Sequence, residues 1–369
     1  MSRSSSASIV LLWLTALLAS CALQRPPPGE QVPSPVQARA TIASSLPPGV
    51  ADRAGWVDDI YAGFTVQGLG ATRQNVCAVV AVIEQESSFK VNPVVPGLGA
   101  IAWREIDRRA EHAGVPRLVV HTALNLRSAN GRSYSERIDA ARTEKDLSDI
   151  YEDFIGTVPL GRTLFADWNP IRTRGPMQVN VAFASQYAAV RPYPYPLQAP
   201  SLADELFTRR GSLYFGIAHL LAYQPPYADY LYRFADFNAG QYASRNAAFQ
   251  NALGVASGVR LVTDGALVSH ESGAAGPGET ELALLAMASR LALDEREIRD
   301  ALLQSRSEGF ERTAVYQRVF ALAERKARHR LPRALLPVIK LEGPKITRSL
   351  TTSWYAHRVD GRFERCLGR

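Results

Sequence analysis

Glu86 closes an apolar stripe at helical spacing. Val76, Val79, Val80 and Ile83 fall at i, i+3, i+4 and i+7, one face of a helix. Val79, Ile83 and Glu86 continue that stripe at i, i+4 and i+7, and Asn75 can cap its start. Burial disfavours the charged form of a carboxyl. A half-buried glutamate at a helix end can therefore donate a proton near neutral pH, as cleavage of a glycosidic bond requires. Glu84 falls on a different side of the helix. Taken alone, a helix-terminal glutamate serves equally well to bond a nearby amide.

Two later strings bear on the choice. The chain reads Ile83-Glu84-Gln85-Glu86-Ser87-Ser88-Phe89, then Arg174-Gly175-Pro176-Met177-Gln178-Val179-Asn180, then Phe234-Ala235-Asp236-Phe237-Asn238-Ala239-Gly240. A weaker fourth string, 212–220, lies between the last two. In this order they resemble the transglycosylase members of the lysozyme superfamily. Those carry Q-E-S-x-F at the end of a buried helix, then G-L-M-Q-[IV], a helix N-I-x-x-G-x-x-Y-L, and A-Y-N-A-G. The match covers roughly 73–88 and 173–249, under a third of the chain.

The resemblance implies a mainly α, α+β lysozyme-like fold, with a goose-lysozyme or lytic-transglycosylase core. It implies that Glu86 protonates the oxygen between N-acetylmuramic acid and N-acetylglucosamine. Glu86 then takes the proton of the muramyl 6-hydroxyl, closing a 1,6-anhydro ring without a second carboxylate. Ser87 would contact the substrate or the acid, and Met177, Gln178, Phe237 and Asn238 would line the sugar subsites. The plainer alternative for Gly-Pro-Met-Gln-Val is a turn that starts a helix. Two departures stand out. Phe237 replaces the family's usual tyrosine, and a phenyl ring cannot hydrogen-bond a carboxyl, though it can bury one. The 89 positions from Glu86 to Gly175 also require an insertion at about 92–170, which forms either a lobe over the cleft or a structural ornament. If water were the nucleophile, Asp236 is the best second carboxylate. Glu271, beside Ser272 in a Gly-rich stretch, is a decoy.

The N-terminus has the layout of an export signal: Arg3, an apolar run 9–19, then Leu18-Ala19-Ser20-Cys21. It resembles a bacterial lipoprotein signal, cleaved before Cys21 for lipidation there. Ala22, in place of an aspartate, implies the outer membrane facing the periplasm. The expected partners are then the bilayer, through acylated Cys21, and peptidoglycan glycan strands, with no nucleic acid. Three cysteines leave Cys77 and Cys366 as a disulfide pair or as two unpaired thiols in an oxidising compartment.

Composition sets the frame. The 369 residues are 46% hydrophobic with a formal net charge of +7, which excludes a wholly disordered chain and favours acidic polymers only weakly. No CxxC or HExxH pair and no ligand spacing among the six histidines argue against a metal, and nothing signals a cofactor. The expected layout is a signal at 1–20, a Pro-rich tether at 21–50, a catalytic domain at 51–255 with its insertion, and a helical extension at 256–369 packed on the core. The best strand candidates are 117–126 and 258–269. Two or three amphipathic helices are expected over 279–330. A water-using muramidase and a non-catalytic peptidoglycan-binding lipoprotein are the competing readings. The arrangement also looks like a family of Gram-negative lipoproteins without an assigned function.

Overall fold

A computed structural model describes residues 33–157, 159–165, 168–268, 276–343, 346 and 348–369. The export signal, Cys21 and Glu271 lie outside the described residues. The chain is mainly helical, with two short antiparallel hairpins. The helices of the first half are α1 Pro35–Ser45, α2 Arg53–Gln67, α3 Arg73–Glu86, α4 Leu98–His112, α5 Arg117–Leu124, α6 Tyr134–Ala140, α7 Glu144–Thr157 and α8 Gly161–Phe165. Strands β1 (Thr173–Arg174) and β2 (Val179–Asn180) pair Thr173 with Asn180 and Arg174 with Val179. Then come α9 Val181–Val190, α10 Leu202–Glu205, α11 Arg209–Leu221, α12 Tyr230–Ala239 and α13 Ala243–Ser257. The rest comprises α14 Glu279–Ala286, α15 Ala288–Leu291, α16 Glu295–Leu302, α17 Ala314–Ala327, the hairpin of β3 (Lys340–Leu341) with β4 (Leu350–Thr351), and α18 Thr352–Leu367.

The first core is built around α3. All eight residues from Val76 to Ile83 are buried, so the helix is enclosed on every side rather than along one stripe. Thr72, not Asn75, caps it: the Thr72 hydroxyl accepts from the Asn75 amide. The Asn75 side chain instead bridges the Gly70 carbonyl and the Tyr230 hydroxyl. Helices α1, α2, α11 and α12 pack around this axis. So does α18, which lies against both α3 and α12. Its buried positions Thr352, Tyr355, Ala356, Val359, Phe363 and Cys366 recur at three- and four-residue intervals, a stripe matched to a core face. A disulfide joins Cys366 to Cys77 on α3.

A second core forms where α13 meets α14 to α17, centred on Phe249, Phe310 and Phe320. A third, smaller one lies among the helices of the insertion. Three expectations change. The Pro-rich tether does not run to residue 50: Ser34 caps α1 with a reciprocal box to Gln37, and Ala38 and Ile42 are buried, so that segment is a packed helix. The extension does not begin at 256 as a unit, because α13 already belongs to the second core while α18 returns to the first. Finally, 117–124 is helical and 258–268 is irregular. Of the β-branched residues in 117–124 only Val120 packs, partly buried, against the insertion's core, while Val119 and Thr122 are exposed. With no partner strand beside them among the described residues, their strand preference has nothing to pair with. The region 279–330 holds four α-helices and a 3-10 turn.

Candidate active site

Glu86 is the last residue of α3 and is half-buried. Directly after it the chain turns hard: Ser88 and Phe89 take φ of +50° and +61°, the left-handed region that side chains rarely adopt. Such strain collects at functional sites. The Glu86 carboxylate accepts a 2.5 Å hydrogen bond from the Tyr355 hydroxyl of α18. Tyr355 is buried, and burial, then the Glu86 charge, push its phenol well above the ordinary tyrosine value. It therefore stays protonated. A phenol donates to a carboxylate and accepts from a carboxylic acid, so this contact can hold Glu86 in either protonation state.

Glu84 faces elsewhere, as its helical position requires. Arg362, Arg365 and Arg369 of the C-terminal segment approach it at 3.6–3.8 Å. Ser87 is buried, and its hydroxyl donates back to the Ile83 carbonyl, so it caps its own helix.

The second string forms the β1–β2 turn. Gly175 has φ +73°, and a Cβ there would lie 2.0 Å from the Leu206 carbonyl oxygen, so only glycine fits. Met177 is fully buried. Its amide donates to the Ser212 hydroxyl, and its thioether fills the space above Gly216, where a Cβ would come within 2.4 Å. Met177 is thus packing rather than an exposed subsite wall. Gln178 has φ +48° and is half-buried. Its amide oxygen accepts from Thr173 Oγ1 at 2.8 Å, and its Nε2 donates to Glu144 Oε2 at 3.1 Å and to the Gly175 carbonyl.

The third string ends α12. Phe237 is buried, with its ring 4.9 Å from that of His219. Phe183 stacks on the same imidazole at 4.3 Å, and burial holds His219 down at about 4, so it is neutral. Asn238 is exposed and accepts from Thr352 Oγ1 at 2.8 Å. Asp236 is fully buried and takes donors from the hydroxyls of Tyr223 and Tyr227 and the amides of Tyr242 and Ser244. Burial raises its carboxyl above the usual aspartate value against the opposing pull of Tyr227, Ser244 and Tyr223. An aspartate so enclosed is an anchor for the 240–244 turn, which corrects its reading as a base for water.

Two site residues have no counterpart in the sequence reading. Thr352 and Tyr355 stand one turn apart at the start of α18, one bonded to Asn238 and the other to Glu86. That turn joins two of the three strings. Gln178, in the remaining string, is held separately by Glu144 and by Thr173 of β1. The only sequence signal for α18 was its apolar stripe behind the capping Thr351, and nothing in it marks a tyrosine for chemistry. Among the described residues, no group of His, Cys, Asp or Glu could hold a metal, and no helix is long and apolar enough to cross a membrane.

A family model described as "Protein of unknown function (DUF1615)" matches residues 49–369. The chain is 49% identical over 367 residues to "Uncharacterized protein YaiW" of Escherichia coli strain K12, covering the whole of both chains. No solved structure matches.

Proposed function

The chain belongs to the DUF1615 family, and from its site we propose that it is a peptidoglycan lytic transglycosylase. The observation that carries this reading is the Glu86 carboxyl, set at the end of an enclosed helix and held by the buried Tyr355 phenol. Protonated Glu86 gives its proton to the oxygen linking N-acetylmuramic acid to N-acetylglucosamine, and the C1–O bond breaks. The same carboxylate then removes the muramyl 6-hydroxyl proton as that oxygen bonds to C1. The products are a free 4-hydroxyl and a 1,6-anhydromuramyl end, and no water is consumed. Asn238 and Gln178 supply side-chain amides toward the sugar. The lysozyme-like architecture belongs to this proposal, as does the anchored address: acylated Cys21 in the outer membrane, facing the periplasm.

The enclosure of Asp236 disfavours the water-using muramidase. The inward-turned Ser87 and Met177 favour the second reading, a peptidoglycan-binding lipoprotein without turnover. Digestion of purified sacculi separates these. The transglycosylase releases muropeptides with anhydro ends, one water lighter than hydrolysed ones, and Glu86→Gln releases none. Equal products from wild type and Glu86→Gln would overturn the assignment. Sacculus capture without any product would select the binder.

A further inference from the structure

The insertion is hollow. Helices α4 to α8 and residues 168–173 wall a cavity of about 820 Å³. Its lining is overwhelmingly apolar and includes Ile106, Val120, Leu147, Ile150, Phe154 and Ile171. Protein interiors are close-packed, with few voids larger than a water molecule. Here five of those six side chains, all but Ile150, are only partly buried around open space. The space is open to solvent past Trp168 and Val119, which are 59% and 57% exposed, so an apolar ligand entering it removes apolar wall from water. The volume lies within the range of small-molecule sites.

The chemistry of the lining narrows the occupant. The polar groups inside are already engaged by the protein. Glu105 is bonded by Arg108 and Arg109 and held down at about 2 by them. The Tyr151 hydroxyl donates to the Phe165 carbonyl, Arg109 donates to that of Trp168, and Thr173 and Glu144 hold the Gln178 amide. What the cavity offers a ligand is apolar contact. Its border continues that character outward. Val119 and Ala123 of α5 line both the cavity and a shallow depression on the outer side of that helix. There Leu118 is 78%, Val119 57% and Leu126 59% exposed. A helix apolar toward both the cavity and the outside suits a lobe that rests on lipid; the rim carries exposed Arg172, the group an anionic headgroup would meet, and exposed Glu342.

We propose that the insertion lobe is a binding site for one long acyl chain of a membrane lipid, entering beside α5. This inference is independent of the role given to Glu86. Glu144 and Thr173 line the cavity and also hold Gln178, so the occupant borders the residues that position that side chain.

The test uses the purified full chain, 9,10-dibromostearate as quencher of tryptophan fluorescence, and palmitate as competitor. Trp168 lines the cavity. Saturable quenching at one fatty acid per chain, reversed by palmitate and largely lost in Trp168→Phe, is the expected result. Ala123→Phe, which fills the space, should weaken binding at least tenfold with an unchanged melting temperature. Vesicles of brominated phosphatidylglycerol form a second arm, and quenching there identifies a bilayer lipid as the source. Unsaturable or absent quenching in both arms overturns the proposal, as does equal quenching in wild type and Trp168→Phe. If Ala123→Phe does not fold, the Trp168→Phe comparison decides alone.

Discussion

Replacing Tyr355 by phenylalanine keeps the ring that packs on the first core and deletes the hydroxyl that holds Glu86. A hydrogen bond to a charged group contributes about 1.5–3 kcal/mol, and each 1.36 kcal/mol is tenfold in rate. If that bond sets the orientation of the acid, kcat/KM on sacculi should fall about 10- to 100-fold. Stability should change by no more than about 1 kcal/mol, because Glu86 is only half-buried and water can replace the lost partner. A phenol donating to a carboxylate favours its ionised form. Removing it should therefore move the alkaline limb of the pH–rate profile to higher pH while the maximum falls. A purely structural role for Tyr355 would lower the melting temperature without moving that limb. The assay is anhydromuropeptide release, quantified by mass across pH, alongside thermal melts. Turnover within about threefold of wild type, with Glu86→Gln inactive, would refute the assignment of Tyr355 while leaving Glu86 as the acid.

Other consequences are more direct. Gly216→Ala drives a methyl group into Met177; overpacking of this kind costs about 1–3 kcal/mol, and both melting temperature and turnover should drop as the β1–β2 turn shifts. His219 is buried neutral and held at about 4, against 6.5 ordinarily. Its contribution is full above pH 6.5 and is lost as pH falls toward 4, a difference of roughly 3 kcal/mol. Urea unfolding at pH 7 and pH 4 should show that loss in wild type and a smaller one in His219→Phe. Opening the Cys77–Cys366 bridge, which closes a loop of 289 residues, frees unfolded-state entropy of about 6 kcal/mol. Denaturant midpoints of Cys366→Ser should match those of wild type under reductant, and turnover should fall with them because α18 carries Tyr355.

What the sequence determined by itself was the set of local signals. The apolar stripe of 76–83 marks a helix with one buried face running to Glu86, since helical spacing follows from residue type; that every side is enclosed comes from the packing. Gly175 marks a tight turn, and an insertion between Glu86 and Gly175 follows only by comparison with the lytic-transglycosylase resemblance. Where several short-range preferences compete, local pattern does not decide the element. The Pro-rich stretch hid α1, because Pro35 is tolerated in the first turn of a helix. The run 117–124 read as strand because its β-branched residues say nothing of what they pack against. The tertiary structure alone decided which side chains meet. Tyr355 stands 269 residues from Glu86, and no local pattern encodes a contact at that separation. Phe237, where the lytic-transglycosylase resemblance expects a phenol, looked like a loss in the sequence. The fold brings a phenol to Glu86 from α18, tied to α3 by a disulfide, because a helix with the right apolar stripe docks where its buried face fits and carries its polar groups with it.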